Sequence, residues 1–126
     1  MNTDRLSRAL LAVSAVILFL GAALHTSAFP KLAAVAASSN LPRFYAGVFQ
    51  ALWLIDSSLL AGLGLAFACV AARPRLAARS LIGLLALIPA AVSAILYTFL
   101  GPCPPAHLLL AASVLASAAA LPRPAG

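Results

Sequence analysis

Charge is nearly missing from this sequence. Of its 126 residues only Asp4 and Asp56 are acidic, eight are Lys or Arg, and the charged share is 8%, against about 25% in ordinary soluble domains. A chain this size leaves roughly a third of its unfolded surface in contact with solvent after folding, and a composition that is 64% apolar cannot give that surface a polar cover. A soluble globular domain is excluded. Acids are too few for paired-carboxylate catalysis, and neither a glycine-rich phosphate loop nor a Ser-His-Asp ordering on catalytic turns is present, so an enzyme is the least supported class. Cysteine is equally scarce. Cys69 and Cys103 are expected at opposite membrane surfaces, too far apart for a disulfide. The formal charge of +6 sits on residues scattered between apolar runs, not on one basic stripe, which argues against a nucleic-acid partner.

What the sequence does have is long uncharged runs. The 22 residues between Arg8 and Lys31 suffice for one helix across a hydrocarbon core of about 30 Å. This first span is read as residues 9–28, ended by Pro30 and followed by an external loop, 31–41, that carries a short interfacial helix. Ser39-Asn40-Leu41-Pro42 reads as the start of the second span, 44–72, which is longer than the core requires and so should tilt or protrude. Arg73-Pro74-Arg75 and Arg79 make a short basic connection to a third span, 80–100. No Asp, Glu, Lys or Arg occurs from Ser80 to Pro122, and Gly101-Pro102-Cys103-Pro104-Pro105 cuts that run into a hairpin whose second arm is a short fourth span, 106–121.

Only helices and closed barrels satisfy backbone polar groups in lipid, and these runs show no two-residue alternation. The expected fold class is therefore all-α: one integral membrane domain over residues 1–126, a bundle of four transmembrane helices in antiparallel up-down order. Arg5, Arg8, Arg73, Arg75, Arg79 and Arg123 fall on one side and only Lys31 and Arg43 on the other, so both termini are expected to be cytoplasmic. Arg5 and Arg8, the apolar stretch and Thr26-Ser27-Ala28 also have the outline of a cleavable signal over Met1 to Ala28. The stretch is longer than a signal core and the next segment is itself membranous, which favours a retained first span. A bias to Ala, Arg and Pro points to a GC-rich bacterial genome, hence a multi-pass protein of the plasma (inner) membrane.

Lipid makes polar residues expensive, and these mark the candidate sites. Asp56, near the middle of the second span, should be protonated, paired or facing a wet cavity. Depth counted from each helix's outer end sets it level with Ser14, Pro89 and Ser117, where the Leu85 carbonyl freed by Pro89 is an apt acceptor. Nearer the outer face, His25, Gln50, Ser93, Tyr97, Thr98, Cys103 and His107 suggest a polar-rimmed pocket floored by Trp53 and Phe49. His25, Gln50, Trp53, Asp56, Tyr97 and His107 are the candidate ligand-binding residues, suited to a small lipophile such as a quinone, or an ion. The two histidines also raise haem as a minor possibility, while no metal site is assigned because Pro104-Pro105 keeps Cys103 and His107 from sharing a helical face.

Small residues at fourfold spacing mark the helix contacts that lipid itself does not drive: Gly47/Ala51, Ser58/Gly62, Gly64/Ala68/Ala72, Ala86/Ala90/Ala94 and Ser113/Ser117. Short connections predict that successive helices are neighbours. In span number and general composition the chain is similar to small bacterial four-helix membrane proteins of the DoxX-like kind, and no motif extends that similarity. Small multidrug transporters carry their membrane carboxylate in the first helix, whereas here it stands in the second. The function expected is that of an accessory or structural subunit of a larger membrane complex, or a homo-oligomer, acting by helix packing in the lipid bilayer. The alternative is a binder or carrier of a small lipophile or ion that uses the outer pocket, with Asp56 as its protonatable group.

Overall fold

The structure is a computed structural model describing residues 3–121, so Met1 and Arg123 lie outside the described residues. It is all-α, with helices α1 (Thr3–Ser27), α2 (Phe29–Ser38), α3 (Arg43–Ala72), α4 (Arg79–Leu100) and α5 (Pro104–Ala120), and a single 3₁₀ turn at Pro74–Leu76. Three stretches are long and apolar enough to cross a membrane: Asp4–Ser38, Arg43–Ala72 and Arg79–Leu100. At 17 residues α5 is shorter, about 26 Å.

Local chemistry explains the breaks. Pro30 sits in the first turn of α2, where its missing N–H belongs to the unpaired set at any helix start. Ala28 stays in the helical region and bonds Leu24 O at 3.2 Å, while Leu32 N reaches back to Ala28 O at the same distance. The chain therefore pivots at Ala28 without leaving helical geometry. The short helix expected within the external loop over 31–41 forms, but it starts already at Phe29, runs to Ser38, and packs against α3 with Ala36 buried. Ser39 ends α2 by donating to Ala36 O at 2.8 Å, so it closes this helix and does not cap the next. Gly101 stops α4 at φ +72°, a conformation side chains resist, and Pro104-Pro105 fill the first turn of α5.

Packing follows an order that the connections do not predict. The main contacts run α3 to α1, α1 to α5 and α5 to α4, so α1 and α5 are central and α3 and α4 stand at opposite ends of the row. Adjacency of α3 and α4 was expected from their short connection. The 3₁₀ turn carries the chain across the base of the bundle instead, and Ala77 and Ile82 share a small crevice there with Asp4, Val70 and Ala119. The hairpin of α4 and α5 packs as expected.

Each contact uses a stripe of short or interlocking residues. On α1 it is Leu11, Ser14, Ala15, Leu18 and Ala22; on α3, Ser57, Leu60, Gly64, Phe67 and Ala71. Gly64 lets these helices close, since a Cβ there would lie 3.3 Å from the Ala15 carbonyl oxygen and 3.4 Å from Leu18 Cβ. Added methyls at Gly47 and Gly62 would meet nothing within 4 Å, and Ala51 and Ser58 are exposed. Those two expected small-residue faces are thus unpartnered in the single chain. On α4 the seam runs Ile82, Ala86, Pro89, Ser93, while Ala94 faces outward.

Buried serines bolt the helices together by donating to backbone carbonyls: Ser14 to Ala112 O at 2.8 Å, Ser93 to Ala106 O at 2.8 Å and Ser113 to Ala86 O at 2.7 Å. Such bonds contribute on average about 0.6 kcal/mol in membranes, because the polar group also finds partners when the helices are apart in the bilayer. Ser14→Ala is accordingly expected to lower stability by less than about 1 kcal/mol, as read from thermal unfolding in detergent.

These contacts also fix the register. At the base, Asp4, Pro74, Arg79 and Ala119 line one crevice, so both described ends of the chain lie at the same end of the bundle. At the other end the helices are uneven. His25 meets Ser57, and α3 continues from there to Arg43, about 21 Å farther along its axis. Counted from the Ser14–Ala112 contact, α5 begins only about 12 Å out and α4 ends near the level of His25. The α2–α3 hairpin therefore stands clear of α4 and α5 by well over 15 Å, roughly three helical turns.

Candidate functional site

A cluster of polar and aromatic side chains that joins α1 to α3 lies at the root of this projecting hairpin. His25 Nδ1 is 2.8 Å from Ser57 Oγ, its ring stacks on Trp53 with centroids 3.8 Å apart and planes 11° from parallel, and its backbone carbonyl accepts the Trp53 indole N–H at 2.7 Å. The spacing of Trp53, Asp56 and Ser57 on α3 aims all three at the same turn of α1. His25 Nε2 faces Asp56 Oδ2 at 3.6 Å, an ion-pair distance too long for a hydrogen bond.

Ser57 Oγ lies 3.0 Å from Trp53 O, to which its hydroxyl donates, and 2.8 Å from His25 Nδ1. Asp56 is 38% exposed and His25 25%, so their contact is open to the surroundings.

Asp56 does not sit where depth counting from the helix ends put it. Ser14 bonds Ala112, the Leu85 carbonyl belongs to the far helix α4, and Asp56 lies opposite His25, about 16 Å outward of Ser14. The middle of α3 is not the middle of the bundle, because α3 overshoots its neighbours. The acid consequently stands level with the outer ends of α4 and α5, where a polar side chain reaches water more readily than at mid-membrane.

The six candidate residues divide between two clusters. His25, Trp53 and Asp56 form the first, with Gln50 half-buried about one turn farther out on α3. Tyr97 and His107 form the second, across α4 and α5, as an edge-to-face pair with centroids 5.4 Å apart. His107 Nδ1 donates to Cys103 O at 2.7 Å, one turn back in its own helix. The two imidazoles are thus engaged on different helix pairs, and no group of three metal-ligating side chains occurs among the described residues. Two grooves lie at the opposite, arginine-bearing end. Ser57 was not among the sequence candidates. Its position one residue after Asp56 and four after Trp53 was the available signal.

No family model, no curated protein and no solved structure matches this chain.

Proposed function

We propose that the protein acts through helix packing, as an accessory subunit of a larger membrane assembly or as a self-associating one, with the α2–α3 hairpin as its contact element. The observation that carries this reading is how the polar groups are used. Ser14, Ser93, Ser113 and the His25–Trp53–Ser57 set all join helices, and no buried side-chain polar atom lacks a partner among the described residues. Meanwhile the hairpin carries exposed Phe44, Tyr45, Phe49 and Leu52 beyond the body of the bundle. The arginines at the base favour a cytoplasmic location for both termini and insertion in a plasma membrane. A photo-crosslinking residue at Phe44 should give a discrete higher-mass product in native membranes, while one at Leu84, exposed on α4, should give none. Equal labelling from both sites would remove the hairpin from consideration.

A second reading rests on the contact of His25 with Asp56: a small lipophile or ion carried past the outer face, with Asp56 as the protonatable group. Asp56→Asn separates the two. For a packing protein the variant is expected to reach wild-type abundance and unfold within about 1 kcal/mol of the parent, because the 3.6 Å contact is partly exposed. A proton-coupled carrier would instead insert normally and lose flux in a proteoliposome assay.

A further inference from the structure

A groove of about 490 Å³ runs up the outside of the α1–α3 contact from its arginine-bearing end. Its floor is apolar and made of short residues, Ala12 and Val16 from α1 with Ala68 and Ala72 from α3, and Phe19 closes it at the top. It exists because Gly64 draws the helices together just above, while the alanines below leave the furrow between them unfilled. Arg8 stands at the mouth. Its Nε donates to the Ala71 carbonyl at 2.8 Å, which pins the guanidinium at the end of α3 with its terminal nitrogens unpartnered among the described residues. Arg5, one turn earlier, shares this face of α1.

Length and charge identify the occupant. From Arg8 to Phe19 the groove follows eleven residues of α1, about 16 Å, which is half of a hydrocarbon core of about 30 Å and so the depth of one leaflet. A cationic fork at the headgroup level and an apolar trough one leaflet deep complement an anionic phospholipid. We propose that this groove is a binding site for an anionic phospholipid, with its phosphate between Arg5 and Arg8 and one acyl chain lying over Ala12 and Val16 up to Phe19. The proposal is independent of either reading of the His25 cluster.

The test is native mass spectrometry of the full chain in mild detergent, titrated with phosphatidylglycerol and with phosphatidylcholine of the same acyl chains. Phosphatidylglycerol should bind at least about fivefold more tightly, the worth of one arginine near a membrane surface. Arg5→Gln with Arg8→Gln should abolish that preference, whereas Arg75→Gln, outside the groove, should leave it. Ala12→Phe fills the trough while keeping both arginines and should weaken phosphatidylglycerol binding by a similar factor at unchanged helix content. Should the double arginine variant aggregate, Ala12→Phe alone decides. Equal affinity for the two lipids, or binding unaffected by Ala12→Phe, overturns the site. So does a lipid-free dimer mass that Ala12→Phe removes, because a second copy would then fill the groove.

Discussion

Gly64→Leu is expected to destabilise the protein by about 2–3 kcal/mol and to lower its unfolding temperature in detergent by several degrees. The reason is that the nearest neighbour is backbone and cannot yield. The atoms facing the missing side chain are the Ala15 carbonyl oxygen at 3.3 Å, Leu18 Cβ at 3.4 Å and Phe19 Cγ at 3.4 Å, and the first of these is backbone of the central helix. Even a methyl is tighter than ordinary contact there, so an isobutyl group must push α1 and α3 apart. Separation also exposes Phe67, which is fully buried one turn further on. In lipid the driving force for association is close packing, not expulsion of apolar groups, so a widened interface loses most of what holds it. Gly62→Leu is the control. That position opens on empty space, and its substitution should leave the transition unchanged within error.

Trp53→Ala should open the projecting hairpin while leaving the base intact. The indole supplies a stacked contact with His25, worth about 0.5–1.5 kcal/mol, and a hydrogen bond to the His25 carbonyl worth about 1 kcal/mol, for a local loss of about 2 kcal/mol. Beyond that turn the hairpin is held mainly by α2 lying on α3, a contact through small residues such as Ala36. Hydrogen exchange is the direct measurement. Amides of α2 and of α3 before Trp53 should lose protection together, while those around Gly64 and Phe67 keep theirs. Uniform loss along α3 would mean that the cluster and the base unfold as one unit.

Helix limits were legible in the sequence because charge and proline mark them. Arg73-Pro74-Arg75 and Gly101 through Pro105 bracket the third span to within a residue or two, and the second span, read as 44–72, forms as Arg43–Ala72. Neighbour order was not legible. A helix surrounded by lipid or by other apolar helices has nearly the same composition all round, so hydropathy carries no record of which face meets which partner. Gly47, Gly62 and Gly64 look alike on paper, and only Gly64 is enclosed.

The site was half legible for a related reason. His25, Trp53 and Asp56 were each identifiable as polar or aromatic residues in unfavourable surroundings, and they do meet. Their vertical placement failed because depths were counted from helix ends assumed to be level. With α3 overshooting, Ser14 drops out of the Asp56 layer and His25 enters it. The tell-tale was the 30-residue length of α3 itself, since a rod too long for its slot need not share a midpoint with the others.

The shortness of α5 bears on the surrounding bilayer. Exposed Leu108, Leu110 and Val114 put this helix at the lipid boundary, yet its roughly 26 Å rod cannot match a hydrocarbon slab of about 30 Å. A rod that falls short of the slab is accommodated by a thinner bilayer beside it, by snorkelling end residues or by association, whereas the 30-residue α3 exceeds the slab and is accommodated by tilt. The two helices thus make different demands on the surrounding lipid.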